Sequence, residues 1–589
     1  MEHNTKENIL SNLSDAQKSV VVDTENNLYV TACPGSGKTR TLTRKIAYTS
    51  NLYPDSLKKI IAITYTNRAA NEIVERLEKL DVNEEHIWVG TIHQFCLDFI
   101  LRKYGLNLSR TSRGIKIIDE YTTSKYLKLG CEELRISYNH YDHPNLKLNT
   151  SEELFEKDRT KINLAKNYHH RLSEKNEIDF DLILTLSLKI LEENPVATEI
   201  ISKNMRSIFI DEFQDTNEYQ YQVIGLLAKA NNIIKLMFVG DSDQAIFTSL
   251  GGVVKSKTEI EDVTGLKFIE KTLDGCYRST QRIVDLYSQF QQEEYTINSL
   301  AEHKLKRGTV IYDKETHKDN LPIRISEIIT KSLQSGYGEK DICIVAPNQF
   351  ILSPVAKELK VILPDVNFRS QDIYPIKPDD LNLFYKISYL VFTPIGKRMR
   401  LRKKIANEIL QYLRDDYNVN IDSKFISIDF LDLLNKAKSE EEDGLKFLDE
   451  KIKFIFKELG ISKTEHYELF TQMDDFFNKA EERISDKRLK LNRDIENFRN
   501  IYKEKSGISI STIHKTKGEE YDVVIAFGFL EDIVPFFKSE NKIVESKKLL
   551  YVTISRAKKD VYLFSERGRE TNGYPPKLPT KVLAKANVF

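Results

Sequence analysis

The stretch Asn27-Leu28-Tyr29-Val30-Thr31-Ala32-Cys33-Pro34-Gly35-Ser36-Gly37-Lys38-Thr39-Arg40 decides the reading of this chain. A short β-branched run enters a loop of small residues and leaves it in the helical pattern TRTLTRKIAY, so the loop sits between a strand and a helix. Ala32, Cys33, Pro34, Gly35, Ser36, Gly37, Lys38 and Thr39 have the make-up of a P-loop. Backbone N–H groups around small residues wrap phosphates, Lys38 reaches the β/γ oxygens and the Thr39 hydroxyl ligates Mg²⁺. Ala32 stands where the strict pattern has Gly.

Such a loop needs carboxylates at the end of a neighbouring strand. Ile208-Phe209-Ile210-Asp211-Glu212 supplies them, because apolar residues running into two acids place charge where burial would otherwise forbid it. Asp211 is the candidate magnesium ligand and Glu212 the candidate general base for an attacking water. A third strand end, Phe238-Val239-Gly240-Asp241-Ser242-Asp243-Gln244, offers the Gln244 amide as a sensor of the γ-phosphate. A nucleoside-triphosphate hydrolase is the minimum these residues imply.

Strand-then-helix texture recurs outward from this centre. It fills roughly 1–96 and 191–264, and returns over 265–372 and 499–589 in LKFIEKTLD, GTVIYDK, DICIVAPN, GISISTIHK, YDVVIAFGF and VYLFSE. Between them, 97–190 and 373–498 are rich in Leu, Lys and Glu at helical spacing. The expectation is two α/β cores, each interrupted by a mainly helical insertion. At one domain per ~100–200 residues, 589 residues allow about three to five domains.

Composition excludes other classes. With 88 Lys+Arg against 88 Asp+Glu, the net charge is zero, so any polyanion must be met by a local groove. No apolar run reaches the ~18–20 residues of a membrane span, and MEHNTKENIL is not a signal peptide. Five scattered cysteines lack metal or disulfide spacing. A cytoplasmic protein with no membrane partner is expected.

The order of blocks resembles the superfamily 1A DNA helicases of the UvrD/Rep/PcrA type. The blocks are L-S-D-A-Q (13–17), A-C-P-G-S-G-K-T-R (32–40), T-Y-T-N-R-A-A-N-E-I (64–73), G-T-I-H-Q-F (90–95), I-D-F-D (178–181), D-E-F-Q-D-T (211–216), V-G-D-S-D-Q-A-I-F (239–247), Y-R-S-T (277–280), T-I-H-K-T-K-G-E-E-Y-D-V-V (512–524) and L-L-Y-V-T-I-S-R-A-K (549–558). The resemblance implies two RecA-like domains and an ATP-dependent 3′→5′ translocase or helicase acting on single-stranded or tailed duplex DNA, with ATP and Mg²⁺ as cofactors. It implies that Gln17 reads adenine, that Tyr277 and Arg40 hold the base, and that Glu520 bonds the ribose. It also implies that Arg278 and Arg556 act as arginine fingers across a split site. Thr64, Tyr65, Asn67, His93, Phe247, Thr512 and His514 fall in blocks that touch the strand in this family.

Three features depart from the family. Thr248-Ser249-Leu250-Gly251 replaces an aromatic-Arg-Gly continuation, Cys276 stands for Asn, and the second insertion is short and lacks a Gly-Ile-Gly hairpin. Its basic run Lys397–Lys404 reads either as a phosphate-contacting helix or as a solvated or protein-facing one. These departures keep an alternative open. It is a DNA-activated ATPase acting as regulatory or sensor subunit to a separately encoded nuclease, as in Gabija-like phage defence.

Overall fold

Two six-stranded sheets carry the chain, and every strand pair in them is parallel. The computed structural model describes residues 7–80, 82, 85–137, 143–247, 251–293, 295–369, 374–379, 382–485, 491–502, 507–537, 539, 541–570 and 575–587. Thr248, Ser249 and Leu250, the departure after Phe247, lie outside the described residues.

The first sheet contains β1 (Asn27–Ala32), β2 (Lys59–Thr64), β3 (Ile87–Thr91), β4 (Met205–Asp211), β5 (Lys235–Gly240) and β6 (Phe268–Leu273), in the order β3-β2-β4-β5-β1-β6. The second contains β7 (Val310–Asp313), β8 (Ile342–Ala346), β9 (Phe368–Arg369), β10 (Ile508–Thr512), β11 (Tyr521–Ala526) and β12 (Ala557–Phe564), in the order β7-β12-β11-β8-β10-β9. The central strands are apolar on both faces, as strands covered by helices on either side must be. Val30, Ile61, Ile208, Ile344 and Val524 are all fully buried.

One expectation is corrected here. LKFIEKTLD was assigned to the second core, but Phe268–Leu273 pairs with β1 from Asn27↔Phe268 to Ala32↔Leu273 and closes the edge of the first sheet. The first core therefore runs past residue 264. A parallel edge strand makes its pairing far from itself in sequence, so its local pattern does not say which sheet it joins.

The two insertions differ in how they are held. Leu108, Tyr126, Leu164 and Leu182 of the first share one apolar cluster with Ile61, Ile208 and Phe238 of the first sheet. The second has a core of its own, including Phe384, Ile409, Phe430, Leu448 and Phe498. It is nevertheless docked on the first core. Helix α1 (Asp15–Val22), α2 (Lys38–Leu52) and α3 (Asn67–Glu78) belong to that core, and α4 (Met399–Gln411) lies against α3. Arg398 pairs with Glu75 at 3.0 Å, Lys404 Nζ donates to the Val89 carbonyl at 3.0 Å, and Arg402 turns inward to Thr393 Oγ1 at 2.6 Å. Of the two readings of the basic run, the structure assigns these three cations to protein contacts.

Candidate active site and strand groove

The P-loop is shaped by two glycines at which any side chain would be strained. Gly35 and Gly37 have φ of +75° and +79°, the left-handed region that costs a side chain ~1–2 kcal/mol. A Cβ at Gly35 would also stand 2.6 Å from Arg278 Cβ and 2.9 Å from Cys276 Sγ; one at Gly37 would stand 2.8 Å from Gln17 Nε2. The loop is thus pressed against the Cys276–Arg278 segment, and Tyr277 N donates to Gly35 O at 2.8 Å. Tyr277 itself is 40% exposed beside the loop. Arg40 sits half-buried on the first turn of α2.

Gln17 is nearly fully buried, and its Nε2 donates to Ser36 O at 2.9 Å while its Oε1 accepts from Ser14 N at 3.0 Å. One amide hydrogen and one lone pair remain for a base edge. Glu520, expected at the ribose, is held by two cations of the second core's side of the site. It accepts from Arg278 Nε at 2.8 Å and pairs with Lys558 at 2.8 Å. Arg278 and Lys558 outweigh its partial burial and lower its pKa to about 2.

The candidate catalytic carboxylates sit at the end of β4. Glu212 adopts a φ of +52°, uncommon for a residue with a side chain and characteristic of strained functional turns. Its Oε2 accepts from Gln214 Nε2 at 2.6 Å. Burial and the neighbouring Glu212 charge push Asp211 up. Burial also opposes ionisation of Glu212, but Lys38, Lys517, the Gln214 bond and Arg556 hold it below its ordinary range. The pair therefore shares a buried environment in which Lys38 acts electrostatically on both carboxyls. Ser36 Oγ is buried with no hydrogen-bond partner among the described residues. A divalent cation with a polyphosphate suits this donor set, with Thr39 and Asp211 as the residues that would hold the metal.

The second core reaches into this site through Arg556, which is 1% exposed. Its guanidinium donates to Val552 O (3.0 Å), Glu519 O (3.3 Å), Ser555 Oγ (3.0 Å) and, across to the first core, Gln244 Oε1 (3.0 Å). All four acceptors are neutral. Burial, then the charge of Arg278, pulls its pKa down against the charges of Glu212, Glu520 and Asp241. Gln244 Nε2 in turn donates to Asp241 Oδ2 at 2.7 Å. The amide therefore links the end of β5 to the Arg556 guanidinium of the other core.

A cleft of about 390 Å³ runs from Asp211 and Glu212 past Thr64, Tyr65, Asn67 and His93 to Glu408 and Tyr412 of the second insertion. Tyr65 stacks on Phe247 with centroids 4.9 Å apart, and Phe247 packs on His514 at 5.7 Å. His93 packs on Phe180 at 4.7 Å, and burial lowers its pKa to about 4, so it is a neutral imidazole near pH 7. Burial likewise lowers His514. Thr512 stands at the N-cap position of the turn that carries His514, with no capping bond from its side chain. Thr64 is buried, and its hydroxyl donates to Thr66 O at 2.9 Å. The groove members thus include stacking faces and neutral donors.

Sequence reading missed Asp215, Lys517, Gln214 and Glu408. Lys517 Nζ bonds Asp215 Oδ2 at 2.5 Å, and Glu408 Oε1 accepts from Gln94 Nε2 at 2.8 Å. Asp215 and Lys517 lay inside quoted blocks, but their meeting joins positions about three hundred residues apart.

Comparison with known proteins agrees with this geometry. Residues 13–262 match the model of the UvrD/REP helicase N-terminal domain, and 399–567 that of the UvrD-like helicase C-terminal domain. The chain is similar to the ATP-dependent DNA helicase PcrA of Staphylococcus aureus (strain Mu50 / ATCC 700699), 25% identical over 650 aligned positions covering 98% of this chain and 86% of that protein. PcrA of Staphylococcus epidermidis (strain ATCC 35984) is 25% identical over 637 positions, covering 94% and 83%. With both halves of one helicase family matched in order around a two-core P-loop site, the chain is a UvrD-type helicase.

Proposed function

We infer that this ATP-dependent DNA helicase moves 3′→5′ along single-stranded DNA by closing its two cores on ATP and opening them after hydrolysis. The observation that carries the reading is the 3.0 Å bond between Arg556 of the second core and Gln244 of the first, at a guanidinium whose acceptors are all neutral. In this reading the γ-phosphate draws Arg556 and the Gln244 amide onto itself, and Glu212 takes a proton from the attacking water. Mg²⁺, held by Thr39 and Asp211, would supply charge neutralisation at the phosphates. Arg278, oriented by Glu520, and Lys38 stabilise the charge that develops. Loss of the γ-phosphate releases the fingers, and the strand stacked near Tyr65 and Phe247 steps forward.

Unwinding of duplexes bearing a 3′ or a 5′ single-stranded tail tests this. Unwinding from the 3′ tail is expected, and unwinding from the 5′ tail alone would overturn the polarity. Hydrolysis stimulated by DNA without unwinding of either substrate would favour the alternative, a DNA-activated ATPase subunit serving a separate nuclease.

A further inference from the structure

One side chain touches both the nucleotide site and the candidate groove. Lys517 follows β10 on the second core, and its Nζ reaches three groups of the first. It donates to Asp215 Oδ2 at 2.5 Å and to the Gln244 carbonyl at 2.6 Å, and it lies 5.1 Å from the centroid of the Phe247 ring. Gln244 is the residue whose amide lies between Asp241 and Arg556; Phe247 is the ring stacked on Tyr65. The side chains of Lys517 and Asp215 are only 8% and 1% exposed. Asp215 Oδ1 is buried with no hydrogen-bond partner among the described residues, so this carboxylate depends on the Lys517 cation. A buried ion pair is a poor source of stability in itself. Its bifurcated placement, with one bond to a sensor's backbone and a cation–π contact to a stacking ring, suits a connector.

We propose that Lys517 is a positioning residue that couples the groove to the γ-phosphate sensor. A base that shifts Phe247 moves the Lys517 ammonium, and with it the backbone of Gln244, changing where its amide stands relative to Arg556. The proposal rests on the DNA groove of the preceding section. A second cross-core ion pair, Arg68 with Glu519, engages neither Gln244 nor the Phe247 ring through its side chains. It serves as the control for simple docking of the two cores.

Coupling between two ligands is reciprocal and is read from binding alone. The dissociation constant of a fluorescein-labelled oligothymidine is measured by anisotropy with and without a non-hydrolysable ATP analogue. Wild type is expected to show a ratio of about fivefold or more, within the usual range of such couplings. Asp215→Asn with Lys517→Met removes both charges and leaves no unpaired buried ion; its ratio is expected to fall to within about twofold of one. Phe247→Leu, which keeps the ion pair but deletes the ring, is expected to lower the ratio as well, and serves if the double variant does not fold. Arg68→Gln is expected to keep the wild-type ratio. Wild-type ratios in both the double variant and Phe247→Leu, or an equal fall in Arg68→Gln, would overturn the coupling role of Lys517. A wild-type protein that does not bind the oligothymidine would instead overturn the groove.

Discussion

Replacing Arg556 by alanine tests what the second core contributes to hydrolysis. Arginine fingers contribute ~10³–10⁵ in kcat, or ~4–7 kcal/mol at ~1.4 kcal/mol per decade. Where Arg556 falls in that range follows from its surroundings. Its four hydrogen bonds go to neutral oxygens, so its charge is not offset by a bonded carboxylate, whereas Arg278 is paired with Glu520. Arg556→Ala is therefore expected to lower DNA-stimulated kcat by at least ~10³, and Arg278→Ala by less, ~10². Truncation also leaves Val552 O and Glu519 O without this donor in a buried place, at ~1–3 kcal/mol each, so the melting temperature should fall too. The assay is steady-state ATPase with saturating single-stranded DNA, beside the stoichiometry of a fluorescent nucleotide. Full binding stoichiometry with lost turnover is the expected pattern. A kcat within about threefold of wild type would refute the closure of the two cores on the γ-phosphate.

Glu212→Gln is expected to retain nucleotide binding while losing ~10²–10⁴ in turnover; full hydrolysis would remove the general-base role. Gly35→Ala combines a left-handed φ of +75° with a Cβ only 2.6 Å from Arg278 Cβ. Because that neighbour is no flexible tip, the Arg278 segment must move, and DNA-stimulated kcat should drop by at least tenfold; an unchanged kcat would show that the segment yields freely. The Glu520 carboxyl, lowered from 4.5 to about 2 by Arg278 and Lys558 against its burial, contributes stability that is complete above pH 4.5 and lost as pH falls toward 2. Wild type should accordingly lose melting temperature faster than Glu520→Gln across that window, and parallel curves would dissociate Glu520 from core stability.

Much of the site was legible because its chemistry is local. The P-loop, the acids at 211 and 212 and the amide at 244 each end a strand whose apolar run is visible on its own, and the structure puts Lys38 within electrostatic reach of Asp211, Glu212 and Asp241, with Gln244 bonded to Asp241. What escaped was pairing over distance. Phe268–Leu273 reads as a strand from its residues, but only its register with Asn27–Ala32 says which sheet it completes. Glu520 is expected at the ribose because its block resembles the family's; its bonds to Arg278 and Lys558 could not be seen in a linear pattern. The run from Lys397 to Lys404 reads from sequence either as phosphate-contacting or as solvated or protein-facing. Its partners Glu75 and Val89 O belong to the other end of the chain.

The most direct test of the whole account is the ATPase rate of the wild-type protein with and without single-stranded DNA. A site completed by Arg556 only when the cores close, and a groove that opens into the same cleft as Glu212, predict a rise of at least tenfold on adding DNA, abolished by Lys38→Ala. Equal rates with and without DNA would contradict the claim that the strand governs hydrolysis.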